Sequence, residues 1–332
     1  MAIPDNWTYK LTDVKDELQF TFGVNSMDYM INNSCCGAPS VSYDPAYSGT
    51  TSCLRNFRKY AYVTTYATTT NTRPRALAFD GTNVWAANYD CDSVSKITFD
   101  GTVTDYVCPT CLSTPNALAF DGTNMWVTNY VGDSITKVTP AGAMTTYAVA
   151  NGPSGIVYDG TNMWTNNAAT SVSKITPAGS VSTYTVSAFA NSGGITWDGA
   201  NIWVGLNDDS ISKVTPAGTE TNYPSRFSQS NRKLIFDGTY IWGGNNGSMT
   251  RITTAGVCTD YANGLAFGGL LWDGTHIWGN LSLSAYRINP SSPLTPEKYV
   301  TVPTYTFGST FGCGFLWVGN LNTNSVTKIG VL

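Results

Sequence analysis

Asp90, Asp92, Asp133, Asp208 and Asp209 are the carboxylates of this chain best placed for acid–base work, since they fall in short Asn- and Tyr-rich segments that a ligand could reach. Glycoside cleavage needs two carboxyl groups at a set separation across the scissile bond, and these acids could supply a pair, although no spacing marks one out. Asn88-Tyr89-Asp90-Cys91-Asp92 alternates oxygen ligands, but it lacks the Gly and the distal Glu of a calcium loop. Zinc is not expected either: a structural site needs four N or S ligands, and the single histidine, His276, occupies a turn position that holds Asn or Tyr elsewhere in the chain. Cys108-Pro-Thr-Cys111 is an isolated CxxC, open to a disulfide or to free thiols. No catalytic residue, metal or cofactor is therefore assigned. What remains is recognition chemistry, amides and phenols, and the expected ligand-binding set is Asn88, Tyr89, Asn129, Tyr130, Asn167, Asn207, Asp208, Asn246 and Asn322.

Those residues are carried by a repeat. Trp85, Trp126, Trp164, Trp203, Trp242, Trp278 and Trp317 follow one another at 41, 38, 39, 39, 36 and 39 residues. Each sits in a version of one phrase, FDGTNVWAAN at 79–88, FDGTNMWVTN at 120–129 and YDGTNMWTNN at 158–167, with the last copy, FGCGFLWVGN at 311–320, losing Asp and Thr. The phrase reads as a hairpin, because Asp-Gly favours the positive φ of a tight turn between two apolar strands. A third strand follows (SVSKI at 93–97, SITKV at 134–138 and later copies), then a Thr-Pro-Ala-Gly turn and a fourth strand bearing Tyr106, Tyr147, Tyr184, Tyr223 or Tyr261. Four antiparallel strands in about 40 residues, repeated, are a propeller blade. The expected fold is thus all-β, a seven-bladed β-propeller over residues 61–332, and the repeated Trp and Asp are read as scaffold.

The chain ends supply a closure. The seventh repeat stops just after its third strand, whereas Thr64-Thr65-Tyr66-Ala67 matches the fourth-strand segment Thr145-Thr146-Tyr147-Ala148. Residues 62–67 are expected to complete the last blade and remove two exposed edges. The first-to-second and third-to-fourth turns then share one face of the disc and hardly vary. The remaining connections share the other face and differ in every blade, which is where binding usually resides on a rigid scaffold. A net charge of −4 and a pI near 4.9 argue against nucleic-acid partners. No apolar run is long enough to insert in a membrane, and no secretory signal is visible at the start of the chain.

Residues 1–60 have a different texture, an α/irregular module with short helices expected around Leu11, Val14 and Leu18 and around Met27, Met30 and Ile31. The order IPDNWTYKLTDV (3–14), YDPAYSG (43–49) and LRNFRKY (54–60) resembles the N-terminal modules of bacteriophage tail-fibre and other virion appendage proteins, especially from phages of Bacteroidetes hosts. That resemblance implies attachment to other virion proteins through residues 1–60, synthesis in the host cytoplasm, and a virion location. The propeller, over most of 62–332, is similar to virginiamycin B lyase-like and NHL-like propellers. Lyases of that kind imply a histidine-containing site with a divalent metal, which a lone His276 in a turn does not match. The expectation is accordingly a non-enzymatic appendage whose loop face binds a host surface receptor or glycan, with a lyase-like or glycan-cleaving propeller, or a structural decoration, as alternatives.

Overall fold

A computed structural model describes residues 63–68, 73–188, 194–224, 233–244, 247–265, 267, 269–281, 284–301 and 306–330. The expected helices and attachment module of residues 1–60 lie outside that set. Val63–Val331 forms one compact unit, and its described residues form 28 strands in seven four-stranded antiparallel sheets. Among the described residues there is no helix long and apolar enough to cross a membrane.

Blade one shows the pattern. Its strands are β2 (Pro74–Phe79), β3 (Val84–Asn88), β4 (Ser93–Ile97) and β5 (Val103–Val107), paired in chain order from the axis outward. The second strand is buried throughout and the third nearly so, whereas the fourth alternates between half-buried and exposed positions. Burial therefore decreases from the middle of the sheet to the rim. Closure takes the expected form: β1 (Val63–Ala67) pairs with Ser325–Gly330 in the register Val63–Ile329 to Ala67–Ser325, completing a sheet with the strands Phe315–Asn320 and Thr306–Gly312.

The seven repeat tryptophans are at most 1% exposed. At about 150–250 Å² each and roughly 25 cal/mol per Å², each contributes about 4–6 kcal/mol of gross burial as an upper bound. The repeated Asp anchors six of these rings. Its Oδ2 accepts the indole Nε1–H at 2.5–2.7 Å in Asp80–Trp85, Asp121–Trp126, Asp159–Trp164, Asp198–Trp203, Asp237–Trp242 and Asp273–Trp278. Its Oδ1 accepts the two backbone N–H groups that cap the turn, as from Thr123 at 2.8 Å and Asn124 at 2.6 Å. The seventh hairpin has Gly312 in place of Asp, and Trp317 Nε1 is buried with no hydrogen-bond partner among the described residues.

Neighbouring blades are latched by the fourth-strand tyrosine. Tyr106 stacks on Trp85 at 5.6 Å between ring centroids, and Tyr66 stacks on Trp317 at 5.9 Å. Each ring then lies over the turn glycine of the next blade: a Cβ on Gly142 would stand 2.2 Å from Tyr106 Cε1, and one on Gly101 2.2 Å from Tyr66 Cε1. Both glycines also have positive φ, 86° and 93°, so only Gly fits on both counts. The third-strand lysine crosses the same boundary. Lys96 Nζ donates to Pro140 O at 3.2 Å, Lys174 to Pro216 O at 3.1 Å, and Lys328 to Phe99 O at 3.2 Å, each lying also over a ring of its own blade. The repeated basic residues thus serve blade packing.

Candidate functional site

The turn-side face repeats these anchors from blade to blade, so the opposite face, formed by the second-to-third and fourth-to-first connections, is the one with varied chemistry. Its backbone is set by a residue with positive φ immediately before the third strand: Asp92 at 45°, Asp133 at 46°, Asp209 at 62° and Asn324 at 47°. Asp and Asn tolerate this conformation better than other side chains. Three of them also clasp the connection to the next blade. Asp92 Oδ1 accepts the Thr114 N–H at 2.9 Å, Asp133 Oδ1 the Gly152 N–H at 2.8 Å, and Asn324 Oδ1 the Arg73 N–H at 3.2 Å. Asp90 pairs with Arg73 at 3.3 Å in the open, an arrangement worth little in water. Asp208 caps Ser210, accepting its hydroxyl at 2.5 Å. The acids considered for bond cleavage are in these cases scaffold for the loops.

The expected binding set divides sharply. Asn88, Asn129 and Asn167 are fully buried, because the second strand runs one residue further than the hydrophobic pattern suggests and ends on them. Asn88 Nδ2 donates to Ser93 Oγ at 3.0 Å and Ser95 Oγ at 2.8 Å, Asn129 Nδ2 to Ser134 and Thr136, and Asn167 Nδ2 to Ser171 and Ser173. These three are corrected from ligand contacts to internal struts. Tyr89, Tyr130 and Asn207 are half-buried and Asp208 and Asn322 exposed, so these five remain on the face; Asn246 lies outside the described residues. Tyr89 is positioned by Arg75, whose guanidinium sits 4.4 Å from its ring centroid.

Residues 51–264 match the model of the virginiamycin B lyase family. The chain belongs to that family. Its fold is similar to that of a streptogramin B lyase (20% identity, TM-score 0.72, covering 81% of this chain and 97% of that one) and of virginiamycin B lyase from Staphylococcus aureus (19% identity, TM-score 0.70, 82% and 100%). Hydrazine synthase of Kuenenia stuttgartiensis shares it at 17% identity with a TM-score of 0.66, covering 80% and 97%. At such identities these likenesses show the propeller alone. No curated protein sequence matches the chain. Membership corrects one expectation. The chain was read as a protein that is not an enzyme, whereas the family, like its lyase neighbours, is one of enzymes.

The virginiamycin B lyase resemblance implied histidine and a divalent metal, and the residues described do not fit that pair. His276 lies in the sixth Asp-Gly turn on the packed face, where its backbone N–H donates to Asp273 Oδ1 at 2.7 Å and its Nδ1 is 4.0 Å from Asp273 Oδ2. Among the described residues no three His, Cys, Asp or Glu side chains converge as metal ligands. His276→Asn, which installs the residue of sibling turns, is expected to leave the melting temperature within about 1 °C, as surface changes away from special features do; a drop of several degrees in a thermal melt would refute a turn-only role.

Cys108 and Cys111 form a disulfide in the connection between blades one and two. It shapes a backbone whose Cys111 carbonyl accepts from Asn129 Nδ2 at 3.1 Å and from Thr136 Oγ1, and it sets Leu112 into the core beside Trp85. Burial pushes the Cys91 thiol up, and Asp90, Asp92 and Asp105 push it further, the opposite of what a nucleophilic cysteine needs. Lys233 was passed over in the sequence. It sits four residues before the blade-five Asp237, a position held by Ala or Gly in every other blade. Aligning the seven repeats on that Asp would have exposed it.

Proposed function

We propose that this member of the virginiamycin B lyase family acts through its variable loop face on a host surface structure of the glycan class, and that residues 1–60 carry it on a bacteriophage virion. The observation behind this reading is the contrast between the two faces. One repeats the same Asp–Trp, Tyr–Gly and Lys–carbonyl contacts from blade to blade. The other offers a different set of groups in each blade: Tyr89, Tyr130 and Asn207 are half-buried there, and Asp208 and Asn322 exposed. Phenol rings give flat apolar contact with a polar edge, and carboxamides give paired donors and acceptors, the combination that suits hydroxyl-rich ligands. The clasps of Asp92, Asp133 and Asn324 hold these loops in place before a ligand arrives, which lowers the ordering cost of binding.

Replacing Tyr89, Tyr130, Asn207 and Asn322 together by Ala should reduce adsorption of particles to host cells at least about tenfold, a loss of roughly 1.4 kcal/mol or more, with the melting temperature unchanged. Full adsorption by the variant would end this reading. Family membership favours a second one, bond cleavage on the same face. It predicts a new product, seen by mass spectrometry, when the protein is incubated with a streptogramin B or with host polysaccharide.

A further inference from the structure

The inner strands of the seven blades ring the propeller axis, each touching the next. The position four residues before the hairpin Asp, or before Gly312 in the last blade, is Ala76, Ala117, Gly155, Gly194, Lys233, Gly269 and Gly308 in turn. The small residues have a cause. A Cβ on Gly308 would lie 2.6 Å from Ala76 Cα, and one on Gly194 would lie 2.1 Å from Leu234 N, so the backbones of successive inner strands approach too closely for larger groups. Lys233 is the exception. The residue is half-buried, which fits an ammonium near the axis that water still reaches. Burial pushes its pKa down, and among the described residues no charged neighbour acts on it. No hydrogen bond or ion pair of Lys233 exists among the described residues.

Burial at the axis disfavours a charged ammonium, and no described residue offers it a counter-charge. An Ala or Gly, as in the six sibling blades, would fill the position at no such cost. Lys233 also lies at the end of its inner strand that leads in from the loop face, since Leu234–Phe236 runs from there towards the Asp237 turn. Arg75, one residue before the equivalent position in blade one, stands at the same end against Tyr89, and Asp90, Asp92, Asp133 and Asp208 of that face are engaged with Arg73, Thr114, Gly152 and Ser210. We propose that Lys233 makes the loop-side end of the propeller axis a binding site for one oxyanion group, a carboxylate or a phosphate, borne by the ligand. A compact ammonium with three donors suits such a group, and the anion supplies the counter-charge that no described residue gives. The site stands apart from adsorption: it concerns a small anion at the axis and holds whether or not the outer loops bind a cell surface.

Calorimetric titration of the full-length protein tests it with three probes: inorganic phosphate, glucuronate, and glucose as the uncharged control. Phosphate or glucuronate should bind at one site per chain and glucose should not, and the preferred anion tells a phosphate ligand from a sugar carboxylate. Lys233→Ala, which places the residue of blades one and two in blade five, should fold and should weaken anion binding by about tenfold or more. Lys233→Met keeps the length of the stem without its charge and should do the same. Absence of saturable binding of both anions up to about 10 mM, where even a weak site of millimolar Kd would be mostly filled, would overturn the proposal. So would equal binding by the wild-type protein and both variants.

Discussion

A chain beginning at Thr70 should melt about 10 °C or more below the full protein, or aggregate, because removing β1 strips the seventh blade of its outer strand. The five-residue ladder from Val63–Ile329 to Ala67–Ser325 would be lost. So would the stack of Tyr66 on Trp317, the cover of Tyr66 over Gly101, and the bond from the Thr68 hydroxyl to Asn324 O at 2.7 Å. Those contacts join the first and last blades, so the ring would lose both a strand and a latch. A loss of about 4 kcal/mol or more is the expected scale, and for a domain of this size each kcal/mol moves the midpoint by roughly 2–4 °C. Differential scanning calorimetry beside light scattering reads both effects. A monodisperse shortened chain with an unshifted midpoint would show that the closure carries no stability.

The second large effect concerns the hairpin aspartate. Asp121→Ala should cost about 2–4 kcal/mol in urea unfolding, because it leaves a buried indole N–H and two turn N–H groups without their acceptor. Asp121→Asn should cost less, since one oxygen remains. Trp317 shows that one blade tolerates the orphaned indole, and an Asp121→Ala protein as stable as the wild type would mean that none of them needs the bond. The same carboxylates make the propeller acid-sensitive. Burial raises the pKa of Asp121, but hydrogen bonds from Trp126, the Asn124 and Thr123 backbones and the Asn124 side chain outweigh it, and Asp80 and Asp159 behave alike. With folded values held below the ordinary carboxylate range, their stabilisation is present above about pH 4 and disappears as the pH falls through those values.

The periodic tryptophan made the propeller and its blade number legible, because a strand that must bury one large ring per repeat leaves a regular mark, and the closure was legible in the match of residues 64–67 to residues 145–148. The candidate site was legible only as a face. Asn88 looked like a loop residue for want of an apolar neighbour after it, yet the strand continues to it and a serine pair on the third strand satisfies its amide. Asp92 and Asp133 looked like free acids because a positive φ and a bond to the next blade leave no trace in spacing. Lys233 was hidden for another reason: the segment before it departs from the repeat phrase, and its meaning depends on six residues at the same position in other blades. Tyr299, the blade-six counterpart of the fourth-strand tyrosines, was missed similarly: two extra residues in the connection before Glu297 separate it from Arg287, and its ring meets Trp278 edge-on.

The pairing of β1 with the final strand has a mechanical side. Val63 lies at the turn-side end of β1 and Ala67 at the loop-side end. A tether pulling on the chain before Val63, with resistance from something gripped by the loops, would load the ladder lengthwise. All of its hydrogen bonds would then bear the force together, in shear, whereas a pull across the strand would open them one at a time. The joint between the first and last blades is oriented to resist tension directed from one face of the disc to the other.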